Sequence, residues 1–428
     1  MDEQGSARID RRELLRRGAV GAAAAGVLGS SAGQAFAGTS ARAASAGVEL
    51  WHWQAGNAYP DIFAAAGKRW SAKSGGKFHQ TSVPFTSYFA KFKTAVAGGS
   101  TPDVMEMSWT GQYHDLIKAK TLLPLDASLK KGFPAFFQTV MDSLAYQGKH
   151  YAIPLDLNTL TIAYNKNLFA KLHLKVPRTL DELIALAKPI RDAGFQPLSV
   201  NVKDGWPDGD LWFAQVAYTD PTGKAIRRAE TGAIPWTAAP FLRAAENVQR
   251  MKDAGLFADG SDATDFNGNI AAFATGQVAM TYPHGNFSTG IIAKAVGSKF
   301  AWDLFPFPPL KAGAKALATG GPAIIWSIPA KAKNPEGALD FMRDTTDKIG
   351  FAALVKDNFI PSAKASVSSN PSAIYRRMVS FQPTAATRAI FVPDVYTALL
   401  NEMQGLVTGG SKPQDVVKAM QKAAKSAK

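Results

Sequence analysis

The 428 residues are 46% hydrophobic and 19% charged, a balance that supports a large buried core and excludes general disorder. At that length two domains are expected. The absence of cysteine excludes disulfides, cysteine-ligated zinc, thiol catalysis and lipid attachment through a cysteine, and the formal net charge is +14.

Residues 1–46 read as an export leader. Arg8, Arg11, Arg12, Arg16 and Arg17 precede a small-residue run, GAVGAAAAGVLGSSAGQAFA, in which only Val20, Val27, Leu28 and Phe36 are strongly apolar. That is too little apolar surface for a stable membrane span, and the run is expected to be cleaved. The order from Asp10 to Arg16 is similar to a twin-arginine signal. Cleavage is expected after Ala35-Phe36-Ala37, leaving 38–46 as a flexible N-terminus, with further A-x-A sites at Ala41 to Ala43 and Ala44 to Ala46. The leader holds nearly as many acids as bases, so the positive excess belongs to the mature chain. It is scattered in pairs such as Lys130-Lys131 and Arg376-Arg377, with no basic helix, zinc spacing or RNP-like run, and nucleic acid is not expected as a partner. Attraction to an anionic envelope or an acidic ligand is the milder reading.

After the leader, GVELWHW (47–53) alternates as a strand does and is followed by a polar loop from Gln54 to Asn57. Ile62, Phe63, Ala66 and Trp70 give Tyr59 to Ser74 helical spacing. A strand over 77–83, a helix over 87–97 stopped at Gly98-Gly99, and a strand over 102–108 complete an α/β lobe with a largely parallel sheet. Ligands of such sheets bind at the carboxyl ends of strands, which brings Gln54, Ser108 and Trp109 towards one edge. Pro154 to Asn158 reads as a crossover and Leu160 to Tyr164 as a strand. The next helix opens on a capping box, Thr179 to Glu182, and ends near Gly194. Leu198 to Val202 is a further strand, and KDGWPDGDLW (203–212) reads as a long polar, aromatic loop. Helices are expected over 238–254, 269–274, 348–355, 372–379, 393–408 and from Pro413 to the end, the last opened by Ser411. Strands are expected over 278–282, 302–307 and 323–328. Asn334-Pro335-Glu336 supplies an N-cap, a favoured proline and a first-turn acid for another helix.

Catalytic and metal patterns are absent. The six histidines, His52, His79, His114, His150, His173 and His284, form no H-x-x-x-H pair, so no metal site is expected. The one G-x-S-x-G, at 29–33, lies in the leader and not on a strand-to-helix turn, and no phosphate-cradling loop occurs. No pair of acids is nominated for glycosidic cleavage, no cofactor is implied, and the protein is expected not to be an enzyme. What remains is aromatic: Trp51, Trp53, Trp109, Trp206, Trp212, Phe287 and Tyr396 stand in or beside loops and helix starts, several next to amides and acids. Sugars present flat C–H faces rimmed by hydroxyls, and such rings with neighbouring amides and carboxylates suit both. Core packing is the competing role, above all for Trp51 and Trp212.

Tyr164-Asn-Lys-Asn-Leu-Phe169, followed by Val176-Pro-Arg-Thr-Leu-Asp-Glu182, resembles the carbohydrate-binding family of bacterial ABC-transporter solute-binding proteins. Leu180 stands where that family commonly has Trp, and Asn167 where it has Asp. Phe273 to Thr281 with Gly285 and Phe287, then Gly320-Gly321, Asn334 to Phe341 and Asn358 to Pro361, are similar to later family segments in the same order. The resemblance implies the two-lobe periplasmic-binding-protein fold (type II), an α/β fold whose lobes are joined by hinge crossings with a ligand cleft between them. By analogy with maltose-binding proteins, lobe one is 47–155 plus 318–369, and lobe two 156–317 plus 370–428. The implied function is capture of a sugar or oligosaccharide and its delivery to the membrane permease subunits of an ABC importer. Carried over residue by residue, the ligand-binding set is Trp53, Gln54, Asn57, Ser108, Trp109, Asp156, Asn158, Trp206, Phe287 and Tyr396, with Phe287 where a stacking Trp is usual. A monomer is expected, exported to the periplasm or the cell envelope and held there only peripherally. The competing classes are a secreted glycan hydrolase or lyase and an envelope-bound adhesion or scavenging protein.

Overall fold

The structure, a computed structural model, describes residues 47–107, 111–220, 223–314, 316, 318–363, 372–381, 386–387 and 392–427. Residues 1–46, which read as an export leader, and Ser108 and Trp109 lie outside these residues.

Two sheets organise the chain. The first takes β1 (Val48–His52), β2 (Phe78–Ser82), β3 (Val104–Met107), β6 (Ile153–Pro154) and β12 (Ile325–Ser327) in the order β2-β1-β3-β12-β6. The β1 pairings with β2 and β3 are parallel, as the alternating strands and helices imply, whereas β12 runs antiparallel to both β3 and β6. A small hairpin, β4 (Ala145–Tyr146) and β5 (Lys149–His150), stands apart. Tyr59–Ser74 is a helix because Pro60 suits its first turn, Ile62, Phe63, Ala66 and Trp70 recur on one face, and Gly75 closes it at φ 74°. That face, with the Pro335–Thr345 helix, covers the sheet, and Trp326 is fully buried against Phe63 and Phe341. Asn334 caps the second helix by accepting from the Gly337 N–H.

The second sheet is built on β7 (Asp156–Asn165). Around it lie β8 (Gln196–Val200), β9 (Val278–His284), β10 (Trp302–Phe305), β11 (Thr319–Pro322), β13 (Ile360–Pro361) and β14 (Ala386–Thr387). β7 pairs antiparallel with β9, β10, β11 and β13, and β8 runs parallel to β9. Four helices, Trp206–Thr219, Ala239–Asp253, Pro393–Thr408 and Pro413–Ser426, bury Leu211, Trp212, Phe241, Val248, Leu399 and Met420 in one core. Phe266–Ala274, Asn286–Val296 and Ala373–Phe381 close a smaller core that holds Phe273, Ile292 and Met378.

Several boundaries differ from the sequence expectation. β7 begins at Asp156, because the polar run Asp156, Asn158, Thr159 is buried and paired, not a free crossover. The Thr179-capped segment is two helices, Leu180–Ala185 and Ala187–Asp192, since Pro189 has no N–H to give the Ala185 carbonyl. KDGWPDGDLW is not a loop: from Trp206 onward it is helix, launched by Gly205 at φ 74° with Pro207 in the first turn. The last helix is capped at Lys412, whose N–H meets Asp415, while the Ser411 hydroxyl donates to Glu402. Thr319–Pro322 belongs to the second sheet, so the chain returns to the first sheet only after Pro322.

Candidate functional site

β1 delivers its carboxyl end into the loop Trp53 to Ala58, and a carboxylate from the adjacent strand holds that loop. Glu106, fully buried on β3, accepts from Gln54 Nε2 at 2.5 Å and from the Trp53 N–H at 3.2 Å. Gln54 Oε1 accepts from Asn57 Nδ2 at 2.8 Å, and Asn57 Oδ1 accepts from the Tyr59 N–H at 3.1 Å. Burial pushes the Glu106 carboxyl up to about 8; the bonds from Gln54 and Trp53 oppose that rise and the charge of Asp156 adds to it. The half-buried Trp53 ring stands edge-on to Tyr88 and Phe85 at 5.0 and 5.4 Å, and the Tyr88 hydroxyl donates to the Trp51 carbonyl.

The passages between the sheets are tied at Asp156. Its Oδ2 accepts from the Tyr59 hydroxyl at 2.6 Å, its Oδ1 from the Ile324 N–H at 3.1 Å, and its carbonyl from the Ala323 N–H at 2.9 Å. The Ser362 hydroxyl closes the third passage on the Pro154 carbonyl at 2.7 Å. Asp156 is completely buried with each carboxylate oxygen accepting a bond from the first sheet's side, so it braces the crossing. Two residues on, Asn158 Oδ1 accepts from the Thr159 N–H, and it lies so near Gly285 that a Cβ there would stand 2.2 Å away. Its Nδ2 makes no hydrogen bond to a described residue.

Gly285 leads into Phe287, which touches the apolar cores of both sheets and is half-buried. The Trp206 ring meets Phe287 edge-on at 6.4 Å and Phe266 lies 5.6 Å from it. Beneath them, His284 is fully buried between Thr281 Oγ1 at 2.9 Å and Ser288 Oγ at 3.1 Å, and burial lowers its pKa to about 3. Asp204 accepts from Asn201 Nδ2 and the Phe266 N–H. Asp208, in the first turn of the Trp206–Thr219 helix, is buried with neither oxygen hydrogen-bonded to a described residue; burial, then the charges of Asp210 and Asp204, raise its pKa well above the usual range.

Hydrogen bonds link Gln54 and Asn57 through Tyr59 to Asp156, the chain continues two residues on to Asn158 beside Gly285, and two residues past Gly285 Phe287 meets Trp206. Tyr396 is half-buried against the second sheet's core. Trp51 and Trp212 are core residues: Trp51 Nε1 donates to Glu49 and Trp212 Nε1 to the Phe241 carbonyl. Sequence reasoning missed Glu106, Phe266 and Asp208. The available signal for Glu106 was an acid inside the otherwise apolar strand VMEM. Among the described residues no group of three acids or histidines is placed to hold a metal.

Two sheets with separate cores, joined by strand passages and meeting along a line of rings and amides, define a two-lobed binding protein. The chain belongs to the bacterial extracellular solute-binding protein family, which it matches over residues 54–343. It is similar to the multiple sugar-binding protein of Streptococcus mutans, with 26% identity over 62% of this chain and 63% of that one. The chain therefore spans less than two thirds of the length of that relative. Its fold is also that of a chitin oligosaccharide binding protein, with a TM-score of 0.78 and 23% identity over 89% of this chain and 98% of that one. The GacH receptor of Streptomyces glaucescens, solved unliganded and with acarbose, gives a TM-score of 0.75 at 21% identity, covering 90% and 98%.

Proposed function

We propose that this protein captures a carbohydrate between its two sheets and delivers it to the permease of an ABC importer. The observation that carries the reading is the contact line from Gln54 and Asn57 through Tyr59, Asp156 and Asn158 to Gly285, Phe287 and Trp206. Rings and amides from both sheets belong to that line, which supports the reading. Half-exposed rings suit sugar faces and the Asn158 and Asn57 amides suit hydroxyls. The sugar-binding relatives support the same ligand class. The lobes of this reading are 47–155 with the segment after Pro322, and 156–322 with the C-terminal helices. A monomer acting outside the cytoplasm accords with the reading.

A panel of neutral mono- and oligosaccharides titrated against the mature protein should raise Tm for at least one member. Ligand at 100 times its Kd adds about 2.7 kcal/mol. Trp206→Ala should then weaken that sugar by at least about 10-fold, as loss of a stacking ring does. Silence across a broad panel, or recovery of a chemically altered sugar, would overturn the reading.

A further inference from the structure

We propose that Glu106 is the positioning residue of the candidate site, its carboxyl fastening the Trp53 to Ala58 loop so that the Trp53 ring and the Gln54 and Asn57 amides stay presented towards the second sheet. The inference rests on the carbohydrate-receptor reading for its consequence, though not for its geometry. Both oxygens of this fully buried group are spent on that loop, one on the Gln54 side chain and one on the Trp53 backbone. Gln54 in turn holds Asn57, and Asn57 holds the start of the Tyr59–Ser74 helix. Glu106 thus holds the loop at two points, beside the Gln54 N–H bond to His52 Nδ1 and the Ser82 hydroxyl bond to the Gln54 carbonyl.

The groups facing Glu106 decide how firmly it holds. Tyr59 and Tyr88 come from the two helices against the first sheet, Asp156 comes from β7, and His52 closes β1 beside the loop. Across the ladder its partner on β12 is Trp326, which brings no ionisable group. None of these neighbours supplies a positive charge that is fixed at neutral pH. Both bonds are donated to the carboxyl, so the two acceptor oxygens of a carboxylate match them, whereas a glutamine amide offers one acceptor and sets its NH2 against a donor. Burial raises the carboxyl to about 8, and the two bonds oppose that rise because they favour the ionised form, so the anchor tightens as the group ionises.

Hydrogen exchange of residues 53–58 in the full mature chain, corrected for intrinsic rates and compared between pH 6 and 9, tests this without any ligand. Glu106→Ala should speed exchange there about 10- to 100-fold, the loss of hydrogen bonds to an ionisable partner. Glu106→Gln should exchange faster than wild type, and by more at pH 9 than at pH 6, because only the carboxylate accepts both bonds. Affinity for the best sugar of the panel should follow the same order, Glu106→Gln binding at least about 10-fold more weakly than wild type at pH 9. Equal protection in all three forms, or parallel pH profiles for wild type and Glu106→Gln, would overturn the proposal. If no sugar binds any form, the receptor reading fails and the exchange result still decides the role of Glu106.

Discussion

Tyr59→Phe isolates the brace at the crossing. The substitution keeps a ring stacked 4.0 Å from Phe359 and buried in the first sheet's core, and removes only the O–H that meets Asp156 Oδ2 at 2.6 Å. What is left is a fully buried carboxylate oxygen without its donor, at a position 97 residues away in sequence from the group that satisfied it. Loss of a hydrogen bond to such a group costs about 1.5–3 kcal/mol. Unfolding entropy for a cooperative unit of this size is about 0.8 kcal/mol/K near 60 °C, so Tm should fall by about 2–4 °C. Calorimetry and urea titration at pH 7 measure the loss, and a double-mutant cycle with Asp156→Asn should return a coupling of about 1–2 kcal/mol. A Tm within 1 °C of wild type (about the resolution of the comparison), or strict additivity in the cycle, would refute the brace.

Gly285→Ala places a Cβ 2.2 Å from Asn158 Oδ1 and 2.7 Å from the Thr159 carbonyl. Because one of those atoms is backbone, the strand must shift, and a loss of about 1–3 kcal/mol in denaturant unfolding is expected; no loss would mean the contact is slack. His284 is held neutral in the folded state, its pKa lowered to about 3, whereas the unfolded chain protonates it near 6.5. Its contribution is therefore present above the unfolded pKa and is lost as pH falls, by about 1.4 kcal/mol per pH unit below about 6. His284→Gln should flatten the stability profile between pH 6 and 4, and an unchanged slope would exclude this cause. Asp208→Asn should stabilise the protein, since a carboxyl whose pKa burial raises withholds stability as pH climbs past its unfolded value. The gain in Tm should be larger at pH 8 than at pH 4, and a destabilised variant at pH 8 would mean that Asp208 has a partner the sequence change removes.

The local grammar of this chain was legible. Tyr59–Ser74 and Pro393–Thr408 have the bounds their apolar spacing and prolines announce, and Asn334 and Thr179 cap as their neighbours imply. What was not legible depends on distance along the chain. Glu106 gains its role from Gln54, 52 residues earlier, and Asp156 from Tyr59 and Ile324, 97 residues before and 168 after it. A single sequence carries no record of such pairs. Asp156 was placed at the crossing from the resemblance, yet whether its oxygens face a ligand or the brace is a matter of geometry alone. The Trp206 segment was misread for a different reason. Gly, Pro and Asp cluster there as they do in loops, but the same residues also start a helix when glycine takes a positive φ just before it.

The chain's net charge is positive whereas the acidic groups Glu106, Asp156 and Asp208 are buried near the site, and this separates two roles that the +14 excess alone leaves merged. Among the described residues no lysine or arginine is buried, whereas Glu106, Asp156, Asp208 and Asp210 are. The positive charge is displayed outside, for example along Lys418, Lys422 and Lys425, which line a groove on the last helix. A carboxylate on a ligand entering between the sheets would leave water without meeting a described buried cation, and an unpaired desolvated charge is costly. A uronate oligomer should accordingly bind at least about 10-fold more weakly than its neutral counterpart, a difference of only about 1.4 kcal/mol. Calorimetric titration of the matched pair at pH 7 measures it. Equal or tighter binding of the uronate would require a cation in the site and would return the basic excess to ligand recognition; the expected result leaves that excess to the anionic envelope, from which moderate salt should release the protein.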